Sequence, residues 1–224
     1  MNWAGTTYRP LKRALDLVVA GSVLLLLSPL FLLIGILIRL DSPGPVFFRQ
    51  ERLGKGGTIF RIFKFRTMYV SPQPARGFQS ARDPRITRVG HWLRKLSLDE
   101  LPQAINVLRG EMSIIGPRPA LPHHLERYDD FQRRRLEVRP GITGWAQVNG
   151  RNSLTWEEKF QFDWEYVENL SLSMDVKILL RTVRVIFSTS DLYFHGKGSA
   201  WSPSVPSVPS IPSVTKSIAK MESE

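Results

Sequence analysis

The sequence predicts a mostly helical α+β protein. An N-terminal re-entrant membrane helix broken at a Ser-Pro step precedes a small β-hairpin, and amphipathic interfacial helices surround a cytosolic core. Three observations support this fold class. Residues 17–38 carry no charge, residues 46–66 alternate strand-forming and turn-forming stretches, and several segments after residue 97 repeat apolar residues at helical spacing.

The composition predicts one ordinary domain, with room for an appendage. The chain has 224 residues, of which 31 are Lys or Arg and 20 are Asp or Glu, giving a formal net charge of +11. Such an excess attracts polyanions, namely nucleic acid, an anionic membrane surface or phosphate-bearing substrates. The chain has no cysteine, which excludes disulfides and thiolate metal sites and fits a cytoplasmic location.

The uncharged run at residues 17–38 predicts membrane insertion. Its 22 residues would form a helix of about 33 Å, long enough to cross a hydrocarbon core of about 30 Å. Ser28 and Pro29 interrupt the run, and both of its flanks are basic. Because the positive-inside rule keeps both flanks in the cytoplasm, residues 1–40 are expected to form a re-entrant helix broken at Ser28-Pro29. A kinked spanning helix is the alternative.

The next segment predicts a β-hairpin. Turn-forming residues end the membrane helix, strands are expected at 46–52 and 58–66, and residues 53–57 connect them. The glycines of this connection lack the Gly-Lys-Ser/Thr of a phosphate-binding P-loop, so a plain turn is predicted. Residues 69–82 are aperiodic and carry Pro, Gly and Gln, which is typical of a mobile surface loop.

Two adjacent carboxylates, Asp99 and Glu100, begin a segment with helical spacing. Ser97 stands three residues before Glu100, the spacing of a capping box. In one interpretation Glu100 caps the helix and Asp99 complements its dipole, with no chemical role. In the other the pair is catalytic, because basic residues precede it, and these either form a solvated face or gather phosphate: Arg85, Arg88, Arg94 and Lys95.

Residues 111–119 are expected to form a small strand ending in a rigid turn. Arg118 stands between two prolines, and Pro119 keeps it out of the α region. Its guanidinium is therefore presented in one direction, which suits phosphate or a nucleobase. His123 and His124 are adjacent and would not face one metal on a helix, so they are interpreted as surface residues.

The C-terminal part predicts a ligand-binding loop followed by two helices. Residues 139–152 combine turn residues with Trp, Gln, Asn and Arg, a mixture typical of binding loops. Thr155 and Glu158 predict a capped helix carrying two aromatic stripes, and core burial is the favoured interpretation for most of those rings. Residues 175–187 place basic and apolar side chains on opposite faces, which is typical of an interfacial helix.

The last segment has a different composition. Residues 196–224 contain a Ser-Pro repeat that cannot build a core, so a disordered tail is predicted. The expected organisation is therefore a membrane helix at 1–40, a cytosolic domain at 41–195 and the tail at 196–224.

A series of short motifs runs from about residue 12 to residue 187. In order they are Lys12-Arg13 with Asp16, Ser28-Pro29, Pro43-Gly44-Pro45-Val46-Phe47-Phe48, Phe63-Lys64-Phe65-Arg66-Thr67-Met68, Arg85-Ile86-Thr87-Arg88-Val89-Gly90, Leu93-Arg94-Lys95, Ser97-Leu98-Asp99-Glu100-Leu101-Pro102-Gln103, Gly116-Pro117-Arg118-Pro119, Arg139-Pro140-Gly141-Ile142-Thr143-Gly144-Trp145 and Asn149-Gly150-Arg151. In this order they resemble the bacterial sugar transferase family, the small monotopic polyprenyl-phosphate phosphoglycosyl transferases. The chain departs from that family where relatives often carry acidic residues, directly after Met68.

The resemblance implies an enzyme that transfers a phosphosugar from a UDP-sugar to polyprenyl (undecaprenyl) phosphate, with Mg²⁺ required. It assigns a covalent phosphosugar to Asp99, and metal binding to Asp99 and Glu100, with acid/base help as another role for Glu100. It implies phosphate and nucleotide binding by further basic residues: Arg94, Arg118, Arg151 and, more loosely, Lys64 and Arg66. Products of this class initiate bacterial surface glycoconjugates.

The resemblance also places the protein on the cytoplasmic face of the bacterial inner membrane. Membrane lipid is then an expected partner and nucleic acid is not, while homo-oligomerisation and the identity of the sugar stay open. The alternative function is a non-catalytic, membrane-anchored basic adaptor that binds anionic lipid or nucleic acid.

Overall fold

The computed structural model describes residues 3–70, 83–150 and 153–187. Three predictions fall outside these residues: nearly all of the surface loop at 69–82, the binding role of Arg151, and the tail at 196–224.

The N-terminal run forms two helices with a bend between them, as the Ser-Pro step predicts. Helix α1 spans Trp3–Leu26, α2 spans Ser28–Asp41, and the pair is bent by 60°. Pro29 lies in the first turn of α2, where its missing N–H sacrifices no helical hydrogen bond. Among the described residues neither helix alone has the length and apolar composition of a membrane span, whereas the bent pair together has both.

Helix α1 starts well before the apolar run because its first half packs on the body of the protein. The buried carboxylate of Asp175 accepts a hydrogen bond from the Tyr8 hydroxyl at 2.7 Å and pairs with Lys12 Nζ at 2.6 Å. One turn further on, the buried Asp16 Oδ1 accepts from the Ile114 N–H at 3.0 Å. These contacts fix the direction in which α1 leaves the body.

The predicted hairpin is present. Strand β1 (Phe47–Leu53) pairs antiparallel with β2 (Ile59–Phe65), and both strands lie within one residue of the expected bounds. A single 3₁₀ turn, Lys55–Gly57, connects them, and Gly57 within it has a φ of 81°. Phe60 and Ile62 of β2 share a core cluster with Ala20 in the C-terminal half of α1, which attaches the hairpin to the membrane helix.

A second, parallel sheet occupies part of the predicted ligand loop. Strand β3 (Ser113–Ile115) pairs with β4 (Gly141–Thr143). A Cβ atom on Gly141 would lie 2.0 Å from the backbone nitrogen of Gly116, so glycine permits the two backbones to approach. The turn-like composition of residues 139–152 therefore partly reflects close backbone packing.

Short helices fill the space between these strands and the C-terminal end. They are α3 (Arg88–Lys95), α4 (Ala104–Leu108), α5 (Asp130–Arg133) and α6 (Trp145–Val148), together with 3₁₀ helices at Leu98–Gln103, Pro122–Arg127 and Arg134–Glu137. The surface interpretation holds for His123 and is wrong for His124, which is buried with its ring centroid 5.4 Å from that of Trp156. The reason is that the 3₁₀ helix Pro122–Arg127, which carries His124, lies against the long helix that begins at Trp156.

That long helix, α7 (Trp156–Glu168), begins with the predicted capping box between Thr155 and Glu158. Its rings Phe160 and Tyr166 are buried, as favoured from the sequence. It leads into α8 (Leu172–Phe187), which completes the described part of the chain.

Helix α8 turns its apolar face outward. Leu180 is 69% exposed and Val183 55%, whereas Lys177 and Arg181 lie over the Trp145 ring at 5.1 and 4.9 Å. A helix of a water-soluble domain normally buries its apolar face. The inverted arrangement agrees with the predicted amphipathic pattern of an interfacial helix.

Candidate active site

Asp99 and Glu100 lie on the 3₁₀ helix Leu98–Gln103, between α3 and α4. The predicted capping box is wrong: Ser97 has a φ of 55° and its side chain does not cap this helix. An N-cap residue needs extended backbone, whereas the chain reverses direction at Ser97 in the left-handed region, which costs a non-glycine residue about 1–2 kcal/mol. The conformation of the carboxylate pair is therefore imposed by its surroundings.

Glu100 is enclosed by two cations. Its Oε1 accepts from Lys64 Nζ at 2.7 Å and from Arg118 Nη2 at 2.9 Å, and the Glu100 and Lys64 side chains are only 13% and 16% exposed. Burial by itself would raise the pKa of Glu100, but Arg118 and Lys64 outweigh it and hold that pKa well below its usual range. Glu100 is therefore an ionised, fully paired carboxylate.

Asp99 differs from its neighbour. Across the described parts of the chain no group forms a hydrogen bond or ion pair with its half-buried carboxylate. Burial raises the pKa of Asp99, Lys64 opposes the rise, and the charge on Glu100 adds to it. A short 3₁₀ turn offsets little of this desolvation. Asp99 offers a free carboxylate beside fixed positive charge.

Lys64 is held in place by a residue that the sequence interpretation missed. Asn106 is fully buried on α4. Its side-chain oxygen accepts a hydrogen bond from the N–H of Phe63 at 2.9 Å, and its side-chain nitrogen donates one to the carbonyl of Arg61 at 2.8 Å. Its amide thus binds the edge of β2 just before Lys64. The available signal was a single Asn within an apolar helical pattern, which marks a buried polar side chain that must be satisfied.

The backbone around Arg118 is fixed from several sides. Its carbonyl accepts from Arg135 Nη2 at 2.9 Å, and the next carbonyl, of Pro119, accepts from Arg52 at 3.1 Å. Pro117 O accepts from the N–H of Gly141 at 2.9 Å. The single presentation direction expected for Arg118 is achieved, and its guanidinium, 51% exposed, reaches Glu100.

Arg135 in turn depends on a buried carboxylate. Its Nη2 lies 2.8 Å from Asp163 Oδ2, and the two side chains are 7% and 2% exposed. Burial raises the pKa of Asp163 to about 6, although Arg135 and Lys159 oppose the rise. This ion pair connects α7 to the Arg118 backbone.

The remaining predicted basic residues separate into two groups. Arg94 donates to Thr67 Oγ1 at 2.9 Å and acts electrostatically on Asp99, so it belongs to the site. Arg66 instead donates to the carbonyls of Ser42 at 2.7 Å and Pro43 at 2.5 Å, and thereby supports the end of α2. Of the residues expected to gather phosphate, Arg85 is engaged by Asp83 at 2.6 Å.

The donor set at the site limits how a metal could bind. Within the described ranges no group of three or more His, Cys, Asp or Glu residues could hold an ion. Mg²⁺ commonly binds through one or two carboxylates and substrate phosphates. Asp99 and Glu100 fit this mode of binding through one or two carboxylates and a substrate phosphate. Of the two, Asp99 is the carboxylate that is not already paired.

The chain matches a known family over most of its length. Residues 7–189 fit the model of the family described as bacterial sugar transferase. The chain belongs to this family. A bacterial sugar transferase is an enzyme, which sets aside the non-catalytic adaptor.

Several relatives of this bacterial sugar transferase are close in sequence. EpsL, a sugar transferase of Bacillus subtilis, is 47% identical over 176 residues, which cover 79% of this chain and 87% of EpsL. The UDP-glucose:undecaprenyl-phosphate glucose-1-phosphate transferase of Escherichia coli is 47% identical over 184 residues, 78% of this chain and 40% of that protein.

A third relative is named for another sugar. The UDP-N-acetylgalactosamine-undecaprenyl-phosphate N-acetylgalactosaminephosphotransferase of Aeromonas hydrophila is 45% identical over 188 residues, 81% of this chain and 44% of that protein. The matched region is thus less than half of this relative and of the Escherichia coli one. Since relatives named for glucose and for N-acetylgalactosamine are almost equally similar, overall identity does not indicate the sugar.

Proposed function

We propose that this sugar transferase moves a phosphosugar from a UDP-sugar to polyprenyl phosphate through a covalent intermediate on Asp99. The observation that carries the proposal is the contrast within the carboxylate pair: Glu100 is paired with two cations, whereas Asp99 has no partner among the described residues and faces the same positive field. The names of the Escherichia coli and Aeromonas hydrophila relatives support the donor and acceptor classes.

In the first step a carboxylate oxygen of Asp99 attacks the phosphorus that bears the sugar. The bond from that phosphorus to the bridging oxygen breaks, UMP leaves with the bond electrons, and an acyl phosphosugar remains on Asp99. Lys64 and Arg118 reduce repulsion between the carboxylate and the diphosphate, and Arg94 adds positive charge nearby.

In the second step an oxygen of polyprenyl phosphate attacks the same phosphorus. The bond to the Asp99 oxygen breaks, which regenerates the carboxylate and releases polyprenyl diphosphosugar. Two successive in-line displacements need no external oxidant or reductant. Glu100 keeps the largely buried Lys64 in position throughout, so its main role in this proposal is to hold that cation.

The proposal includes Mg²⁺, for which oxygens of the substrate diphosphate would be ligands. Asp99 and Glu100 would contribute protein oxygens, and the ion when bound supplies charge neutralisation on the phosphate oxygens. Since both Glu100 oxygens lie near Arg118, a metal contact by Glu100 requires this half-exposed arginine to move.

The proposed location is the cytoplasmic face of the bacterial inner membrane, with α1 and α2 forming a re-entrant hairpin. Three features support it: the 60° bend at Ser28-Pro29, the basic flanks on both sides of the apolar run, and the outward apolar face of α8. This arrangement would keep Asp99 near the depth of a lipid phosphate. The product would start a surface glycoconjugate.

Release of UMP tests the proposal. The full-length chain in detergent is incubated with Mg²⁺, undecaprenyl phosphate and each member of a panel of UDP-hexoses and UDP-N-acetylhexosamines. UMP is expected with at least one donor, and only when folded enzyme is present. No UMP from any donor, in a preparation that still binds vesicles, would overturn the proposed donor and acceptor classes.

A further inference from the structure

A second basic site lies beside the first half of α1. It is a cavity of about 130 Å³ to which the candidate active site contributes no residue, and its wall consists of Arg9, Lys12, Arg13, Asp16, Lys55, Ser113, Glu137, Val138 and Arg139. The wall joins four separate parts of the chain: α1, the hairpin turn, β3 and the segment just before β4. Such a convergence of cations on one cavity is not explained by the proposed reaction.

The acidic residues of the wall are already engaged. Asp16 accepts from Ser113 Oγ at 3.1 Å, and Glu137 pairs with Arg134 at 3.3 Å. Lys12 is neutralised by Asp175 outside the cavity. Four cationic residues remain: Arg9, Arg13, Lys55 and Arg139. In the described structure none of these four forms an ion pair with a carboxylate.

Two of the four are held rigidly by backbone carbonyls. Arg13 Nη1 donates to the carbonyl of Val107 at 2.7 Å, and Arg139 Nε donates to that of Gly110 at 2.8 Å. Burial lowers the pKa of Arg13, and the charge of Arg139 lowers it further. Two guanidinium groups are therefore held near each other, and the Asp16 carboxylate offsets their charge only in part, a situation that a bound anion relieves.

The size of the cavity restricts the anion. A volume of about 130 Å³ is below the roughly 300–1,000 Å³ of pockets for whole small molecules. A phosphate group fits, and guanidinium groups match its geometry. Arg13 precedes the apolar run by four residues, about 6 Å along a helix, which is the depth of lipid phosphates if that run enters a bilayer.

We propose that this cavity binds a phosphate group, separately from the catalytic substrates, through Arg9, Arg13, Lys55 and Arg139. The phosphate belongs either to the headgroup of an anionic lipid or to a soluble phosphate compound. Arg13 and Arg139 form the rigid part of the site, while the exposed Arg9 and Lys55 close over the anion.

The test compares two double variants of the full-length protein that lose equal charge. R9Q/K55Q alters the cavity, and R61Q/R127Q removes two exposed arginines elsewhere. Binding of short-chain phosphatidylglycerol and of phosphatidylcholine with the same tails is measured by native mass spectrometry, and binding of inorganic phosphate by titration calorimetry.

If the phosphate belongs to a lipid headgroup, phosphatidylglycerol should bind the protein better than phosphatidylcholine does. Its affinity should fall at least about tenfold in R9Q/K55Q, because two charge-assisted contacts are removed, and should not fall in R61Q/R127Q. If the phosphate belongs to a soluble compound, the affinity for inorganic phosphate should fall by the same factor in R9Q/K55Q. The protein should then show no preference between the two lipids. Equal affinities in the two double variants for every probe would overturn the site. UMP release, measured on the same samples, reports on the proposed reaction independently.

Discussion

The Nζ atom of Lys64 lies 2.7 Å from Oε1 of Glu100, joining β2 to the 3₁₀ helix that follows α3. Lys64 of β2 is thereby bound to the second carboxylate of the pair, whereas the first, Asp99, has no partner within residues 3–70, 83–150 and 153–187. Glu100 and Lys64 are both largely buried. Their contact therefore determines both the position and the charge of the groups around Asp99.

Replacing Lys64 by Met should shift the pH dependence of UMP release. The low pKa of Glu100 depends partly on Lys64, so K64M should raise that pKa and move the acidic limb of the profile to higher pH. Stability at neutral pH should fall by about 1–3 kcal/mol because one charged contact is lost. Rates from pH 5 to 8 and thermal midpoints in detergent measure the two effects. R61M, at an exposed position of the same strand, should change neither.

Replacing each carboxylate separately should distinguish their roles. D99N should reduce turnover by at least about 10³-fold and remove the phosphosugar adduct, whereas E100Q should slow its formation and still allow it on Asp99. Intact-mass and peptide mass spectrometry after reaction with a UDP-sugar, without polyprenyl phosphate, detect the adduct. An adduct of unchanged yield in D99N would refute Asp99 as the nucleophile.

Truncating Asn106 should destabilise the protein and disturb the site together. N106A leaves the buried N–H of Phe63 unpaired, and each such loss costs about 1–3 kcal/mol. Lys64 would also lose the support of its strand edge, so UMP release should fall more than the folded fraction does. Thermal unfolding and initial rates below the midpoint measure this difference. N169A, which removes an exposed Asn from the end of α7, should have little effect on rate.

The buried Asp163 should make stability depend on pH. Its pKa rises from 3.8 to about 6 in the folded state, so the folded protein binds the proton more tightly and stability falls as pH rises from about 4 to 6. The full difference corresponds to about 3 kcal/mol. D163N, relative to wild type, should therefore gain stability across this window. The exposed variant D130N is the control, and parallel melting curves for D163N and wild type from pH 4 to 7 would contradict the assignment.

Re-entry of α1 and α2 predicts that both flanks of the apolar run face the cytoplasm. Because the chain has no cysteine, single variants N2C and R61C each provide one thiol for labelling. In right-side-out cells a membrane-impermeant maleimide should label neither residue, and in inverted vesicles it should label both. Labelling of N2C from the periplasm would establish a spanning helix instead.

Local signals predicted much of the fold. The helix break at Ser28-Pro29, the hairpin and the capped start of α7 each depend on residues adjacent in sequence. Proline at a helix start, glycine in a tight turn and a Thr-to-Glu capping box act within a few residues. The boundaries were accordingly close.

The capping box assigned to Ser97 shows where such reasoning fails. The local spacing is the same as at Thr155, where the box forms, but Glu100 is drawn to Lys64 and Arg118 instead. Two charge-assisted contacts outweigh one local cap. The burial of His124 and the pairing of β3 with β4 were missed for the same reason, since their partners are distant in sequence.

The sequence by itself determined the family motifs, the apolar membrane run, the excess of positive charge and the candidate pair Asp99-Glu100. Only the tertiary structure decided which carboxylate is paired, that Asn106 supports Lys64, and that Arg66 serves the end of α2 and does not reach Glu100. The physical reason is that propensity and capping act over a few residues, whereas charge pairing and desolvation depend on which distant segments the fold brings into contact.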